Sequence, residues 1–170
     1  VNKLNEALLS FYYQFHAQQH YFLCHDILEE AWKEQPDFTK EDAVVSLILC
    51  ATGCYHFRRG NCKGAATLFK RASRVANHNL SNLEQLGLKK HKYIELLAQL
   101  EKQAAQNNTF QVVELPLLKS TKNRLKSKYP DYQLMTKIND SPYIYDHHLL
   151  RDRHAVELAR NEALKRRKLK

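Results

Sequence analysis

Glycine and proline are scarce in this chain, with four of each in 170 residues. A β-sandwich or barrel spends both freely in its turns, so their scarcity excludes a turn-rich β fold and suits helices. Long apolar runs are missing too. The longest, Ala43 to Ala51, is interrupted by Ser46 and runs on into Thr52, His56, Arg58 and Arg59, well short of the roughly 18 apolar residues of a membrane span. Val1 to Ser10 carries no apolar secretory core. The four cysteines, Cys24, Cys50, Cys54 and Cys62, form no Cys-x-x-Cys pair. They read as free thiols in a reducing compartment, where buried thiols pack as small hydrophobes. Cys50 and Cys54 alone are two ligands short of a structural zinc site. These absences predict a cytoplasmic protein with no membrane segment, no bound metal and no cofactor.

Charge is abundant but uneven. Residues 1–118 carry 13 Lys/Arg against 12 Asp/Glu, and residues 119–170 carry 14 against 6. The last third therefore supplies nearly all of the net charge of +9. A basic block of this kind suits an acidic partner such as nucleic acid, or simply a solvated helix with a basic end.

Apolar periodicity predicts an all-α protein: a compact bundle of about five helices over residues 1–108, then an irregular arm and a final basic helix over 109–170. The first helix is expected over 2–15, on Leu4, Ala7, Leu8, Phe11 and Phe15. The second is expected over 20–34, ending before Pro36. Thr39 reads as the N-cap of a third helix that Gly60 stops. Asn61 reads as the cap of a fourth over 63–76. Ser81 and Glu84 have capping-box spacing ahead of a fifth, over 88–106. Pro116, Pro130 and Pro142 break up the arm, and 149–169 carries the last helix. Tyr55 to Ala72 resembles half of a tetratricopeptide repeat, but no second copy follows at a period of about 34 residues.

One part of the second helix breaks the apolar pattern. On a wheel of about 100° per residue, His25, Glu29 and Trp32 share a face, with Tyr21 and Leu28 on one side and Phe22 on the other. Asp26 lies at its edge. Two ionisable groups on a core-facing stripe need partners, because an unpaired buried charge costs several kcal/mol. This face predicts a mostly buried Glu29, paired with His25 or with Arg58 or Arg59. It also leaves open a pocket that binds a ligand or a metal. If the second and third helices form an antiparallel hairpin, residue 25 lies level with residue 49. His56 is then roughly 10 Å further along, too far to share an ion with His25.

The run Tyr21-Phe-Leu-Cys-His-Asp-Ile-Leu-Glu-Glu-Ala-Trp-Lys resembles the His-Glu-x-x-Glu-x-x-Trp motif of a bacterial family known as domain of unknown function 309. Cys54-Tyr-His-Phe-Arg-Arg-Gly-Asn, followed by Gly64 and Ala65, is similar to that family's second signature. Ser141-Pro-Tyr-Ile through Leu150-Arg-Asp-Arg resembles the end of its longer members. The resemblance implies a compact helical bundle with no established activity. It marks His25, Asp26, Glu29, Trp32, His56, Arg58, Arg59 and Gly60 as matching positions. Asp26 departs from the motif's Glu, and Val45 and Leu49 stand where a glutamine often faces the motif.

Three functions follow as expectations. The leading one is a non-catalytic interaction protein, with a protein partner, whose His/Glu/Trp cluster organises a core or a pocket. The second is a metal-assisted hydrolase using His25 and Glu29. The third is weak nucleic-acid binding through the basic C-terminal third. Nothing in the residues fixes an oligomeric state.

Overall fold

A computed structural model describes residues 3–141, 144 and 164–166. Among these, the chain forms α1 (Lys3–Tyr13), which runs into a π-helical turn (Gln14–Gln18), then α2 (Tyr21–Lys33), α3 (Ala43–Arg58), α4 (Cys62–Asn77), α5 (Leu80–Gln85), α6 (Lys90–Ala105) and α7 (Lys119–Lys128). No strand occurs among the described residues; the one β contact is an antiparallel bridge between Leu88 and Leu117. The all-α bundle expected from the periodicity is the architecture observed.

The most apolar helix sits at the centre. Buried residues lie all round α3, the signature of a helix covered on every side. It is flanked by α2 and α4; α1 packs on α2, and α6 packs on α4. The α3–α4 contact is close because Gly53 has no side chain. A Cβ there would lie 2.6 Å from the Phe69 ring. Gly60 ends α3 in a left-handed conformation at φ +85°. The Asn61 side chain then accepts the Gly64 N–H at 3.1 Å, capping α4 as its position predicted.

Several expectations need correction. Thr39 does not cap α3; Asp42 holds the cap position, and its carboxylate reaches back to the Thr39 N–H at 2.9 Å. Ser81 lies inside the short α5, after Asn79, so the Ser81/Glu84 spacing caps nothing. The segment read as one helix over 88–106 is preceded by this separate α5 and begins at Lys90. A further helix, α7, occupies part of the arm read as irregular. Its inward residues are only Thr121 and Leu125, too few to leave a periodic signal. The expected helix over 149–169 lies almost wholly outside the described residues; 164–166 are helical and exposed.

Residues 109–141 fold back over the bundle. Phe110 meets Tyr21 and Phe57 edge-on, with ring centroids 5.9 and 5.4 Å apart. The π turn supplies the main latch. His16 is buried; its Nε2 accepts the Leu115 N–H at 2.8 Å and its Nδ1 lies 2.7 Å from the Tyr132 hydroxyl. Burial, followed by the nearby charge of Lys122, pushes its pKa down to about 4. The ring is therefore neutral at neutral pH, with one nitrogen free to accept.

Candidate functional site

The centre of α2's buried face is Tyr21, Cys24, Leu28 and Ala31, not His25. The wheel reading placed His25 centrally because it counted Phe22 as core. Phe22 is instead half-buried on the flank, 5.5 Å from the His25 ring and 5.3 Å from the Tyr55 ring. His25, Glu29 and Trp32 thus stand at the border of the core. The His25 and Glu29 side chains keep 25% and 32% of their surface exposed. Glu29 is thus about two-thirds buried and hydrogen-bonded, as expected, but stands at the border of the core rather than inside it.

The contacts between His25 and Glu29 lie within α2. His25 Nε2 lies 3.0 Å from Glu29 Oε2, and His25 Nδ1 lies 3.2 Å from Asp26 Oδ1. The other Glu29 oxygen takes the Lys33 ammonium at 2.7 Å. Of the two expected pairings for Glu29, the i,i+4 contact with His25 is observed and the one with Arg58 or Arg59 is not; the observed contact needs no tertiary partner. The Trp32 indole N–H donates to the Thr39 carbonyl at 3.1 Å and to Asp42 Oδ2 at 3.0 Å. The loop between α2 and α3 is tied to the indole in this way. Phe38, on that loop and 43% exposed, sits edge-on to Trp32 at 5.1 Å.

His25, Glu29 and Trp32 line one wall of a cavity of about 230 Å³ between α2, α3 and α4. Val45, Ile48, Leu49 and Val75 supply apolar lining. Lys40, Glu41, Arg71 and Arg74 supply charge. Leu49 in this lining agrees with the hairpin register that set it level with His25. Arg74 pairs with Glu41 at 3.2 Å. Lys40 and Arg71 have no ion-pair partner among the described residues. The cavity lining is therefore cationic in balance. Sequence reasoning missed Lys40, Arg71 and Arg74, since an exposed cation in a turn or on an amphipathic helix carries no local signal. It missed His16 because the partners that bury this ring, Leu115 and Tyr132, are about a hundred or more residues away in sequence.

The second cluster has a different role. His56, Arg58 and Arg59 are at the C-terminal end of α3 and do not line this cavity. Buried Arg58 donates to the carbonyls of Gln19 at 2.8 Å and Asn139 at 3.4 Å, with its guanidinium 4.7 Å from the Tyr21 ring. It ties the end of the π turn to the arm. Arg59 donates to the Tyr55 hydroxyl at 2.7 Å. Burial, then the Arg59 charge, holds the His56 pKa below its usual range. This cluster organises a helix end.

His25, Asp26 and Glu29 each offer a donor atom within 4.8 Å of the others. The three can hold a cation facially, although the Lys33 ammonium beside Glu29 opposes it. A larger cleft of about 510 Å³ lies by the arm, lined by Tyr13, Gln18 and Asp131 among others. Its one carboxylate already accepts the Tyr13 hydroxyl at 2.9 Å.

The family model described as Domain of unknown function (DUF309) matches residues 8–68. The uncharacterised protein YpuF of Bacillus subtilis (strain 168) is 31% identical over 169 residues, which is 96% of each chain. The chain belongs to this family. The DUF309 match takes in the α2 network and the end of α3 but stops before Arg71 and Arg74. Of the cavity's cations, Lys40 thus lies inside the matched segment, and Arg71 and Arg74 lie outside it. No solved structure matches the chain.

Proposed function

We propose that this protein is a non-catalytic recognition protein. Its His25–Glu29–Trp32 cavity accepts a partner's apolar side chain that carries an anionic neighbour. The carrying observation is the cavity itself, apolar lining beside two cations that lack ion-pair partners among the described residues. Its size decides between ligand classes. Small-molecule and cofactor pockets run to about 300–1,000 Å³, and about 230 Å³ is better matched to one anchoring side chain. Exposed Phe38 beside Trp32 adds an apolar lip of the kind interfaces use. Both oxygens of Glu29 are engaged, so this carboxylate frames the wall and is poorly placed to take a substrate proton.

Trp32 is the chain's one tryptophan, so emission excited selectively at tryptophan, apart from the nine tyrosines, reports on the surroundings of this residue, which lines this cavity and a neighbouring one beside Pro36 and Asp42. Titration with N-acetyl-leucine, an anion, should change Trp32 emission with an affinity in the millimolar range, about −4 kcal/mol. The neutral N-acetyl-leucinamide should bind more weakly. No response to either ligand contradicts the reading.

A second reading has its own observation, the His25–Asp26–Glu29 grouping. A metal-assisted hydrolase would use these three as ligands, with water in an open position. Elemental analysis distinguishes it from the first.

A further inference from the structure

Two basic runs far apart in sequence meet on the side of the molecule where α6 and α7 begin. One is Lys89-Lys90-His91-Lys92, at the start of α6. The other is α7, whose exposed residues include Lys119, Lys122, Arg124, Lys126 and Lys128. A backbone clasp joins them. The Lys89 N–H donates to the Pro116 carbonyl at 2.8 Å, and the Leu118 N–H donates to the Gly87 carbonyl at 2.8 Å. Thr121 Oγ1 also donates to the Gly87 carbonyl, at 3.0 Å. Gly87 is required here: its φ is +94°, and a Cβ would come within 2.4 Å of Thr121 Oγ1. The clasp thus fixes where the two runs lie relative to each other.

Folding accounts for these charges only in part: Lys126 and Lys128 sit in the last turn of α7, where cations complement the helix dipole. No acidic residue occurs from Leu115 to Pro130. Among the described residues, Lys90 alone of this set has an ion-pair partner, Glu84 at 3.3 Å. Lysines in the first turn of a helix oppose its macrodipole, so helix stability gains nothing from them.

We infer that the exposed face of α7, extended by Lys89, His91 and Lys92, is a sequence-independent docking surface for the phosphate backbone of duplex nucleic acid. The composition of the face selects this occupant. Its exposed positions are Lys and Arg interleaved with Ser120, Asn123 and Ser127, the side chains that contact phosphates. The apolar residue of α7, Leu125, is buried, which leaves no apolar face for a membrane surface. An acidic protein interface would need an apolar anchor at its centre, and this face has none. Single strands are bound by stacking on exposed aromatics. Tyr129, at the end of α7, is half-buried and stacks on Tyr13 at 4.4 Å. Lys119, Lys122 and Lys126 follow one another along one flank at about one turn, roughly 5.4 Å. That spacing lets them meet successive phosphates.

The test uses the full chain and a fluorescein-labelled duplex of about 20 base pairs, titrated by anisotropy at several salt concentrations. Log affinity should fall linearly with log salt. The triple variant K119E/K122E/K126E should bind at least about tenfold more weakly, with a salt slope flatter by about three units. K89E/K92E should weaken binding in the same sense. K119Q/K122Q/K126Q repeats the test without charge reversal, and circular dichroism confirms the fold of each. Absence of duplex binding at low salt overturns the inference. So does binding that survives all three variants, or equal or tighter binding to polyglutamate, phosphatidylserine vesicles or single-stranded RNA.

Discussion

His25 Nε2 and Glu29 Oε2 meet at 3.0 Å, one turn apart on α2, with roughly a quarter to a third of each side chain in solvent. A contact of that kind is held by its own helix. Exposed pairs and i,i+4 pairs contribute under about 1 kcal/mol. Glu29→Gln and Glu29→Ala should therefore both fold, each losing less than about 1 kcal/mol, with Gln losing less. Urea midpoints measure this. A loss of 3 kcal/mol or more for Ala would mean that Glu29 holds together a closed, buried charge network.

Asp42 should matter more than Glu29. Its carboxylate accepts from the Trp32 indole at 3.0 Å and from the Thr39 N–H at 2.9 Å, at the cap position of α3. Removing this acceptor from the indole and Thr39 N–H donors costs about 1–2 kcal/mol. Asp42→Ala should lower stability by that amount and shift Trp32 emission to the red as the loop loosens. Unchanged emission would show that the loop does not depend on this tie.

Acid should weaken the protein through His16. Its folded pKa of about 4 lies below the ordinary 6.5, so the unfolded chain binds a proton that the folded chain refuses. Stability from this group is complete above about pH 7. It is lost as the pH falls from 6.5 to about 4 and is gone below that. The total is roughly 3 kcal/mol. Urea midpoints between pH 4.5 and 7.5 should slope less for His16→Gln than for the parent, and the difference cancels the other histidines. Parallel slopes would contradict a neutral, buried His16.

Protein purified without chelators should carry no stoichiometric zinc, iron or manganese. His25, Asp26 and Glu29 are three ligands from a single helix, and the Lys33 ammonium 2.7 Å from Glu29 repels a cation there. About one metal ion per chain would promote the hydrolase reading over recognition.

How much of this was legible in the sequence follows from where each signal lives. α3 was plain because it is apolar on all sides, and Gly60 and Asn61 marked its end through local turn and cap chemistry. His25, Glu29 and Trp32 stood out because they interrupt an apolar stripe. Which side of that stripe faces the core was not legible, since it depends on where α3 and α4 sit over α2. Phe22 therefore read as core when it forms the flank. Arg58 looked like a partner for Glu29 but staples the π turn to the arm, a contact spanning residues 19 to 139 that no local pattern encodes. α7 was invisible because its basic face outweighs Thr121 and Leu125. Arg71 reached the cavity only through the packing of α4 on α3.

The proposed role of the cavity beside Trp32 is to recognise an apolar group with an anionic neighbour. A charge-swap titration tests it most directly. Trp32 fluorescence would be followed in the parent protein and in Arg71→Glu, each with N-acetyl-leucine (anion) and leucinamide (cation). The parent should bind the anion more tightly, and Arg71→Glu should reverse the order. Equal affinities for both ligands in both proteins, or no change in Trp32 emission with either, would contradict it.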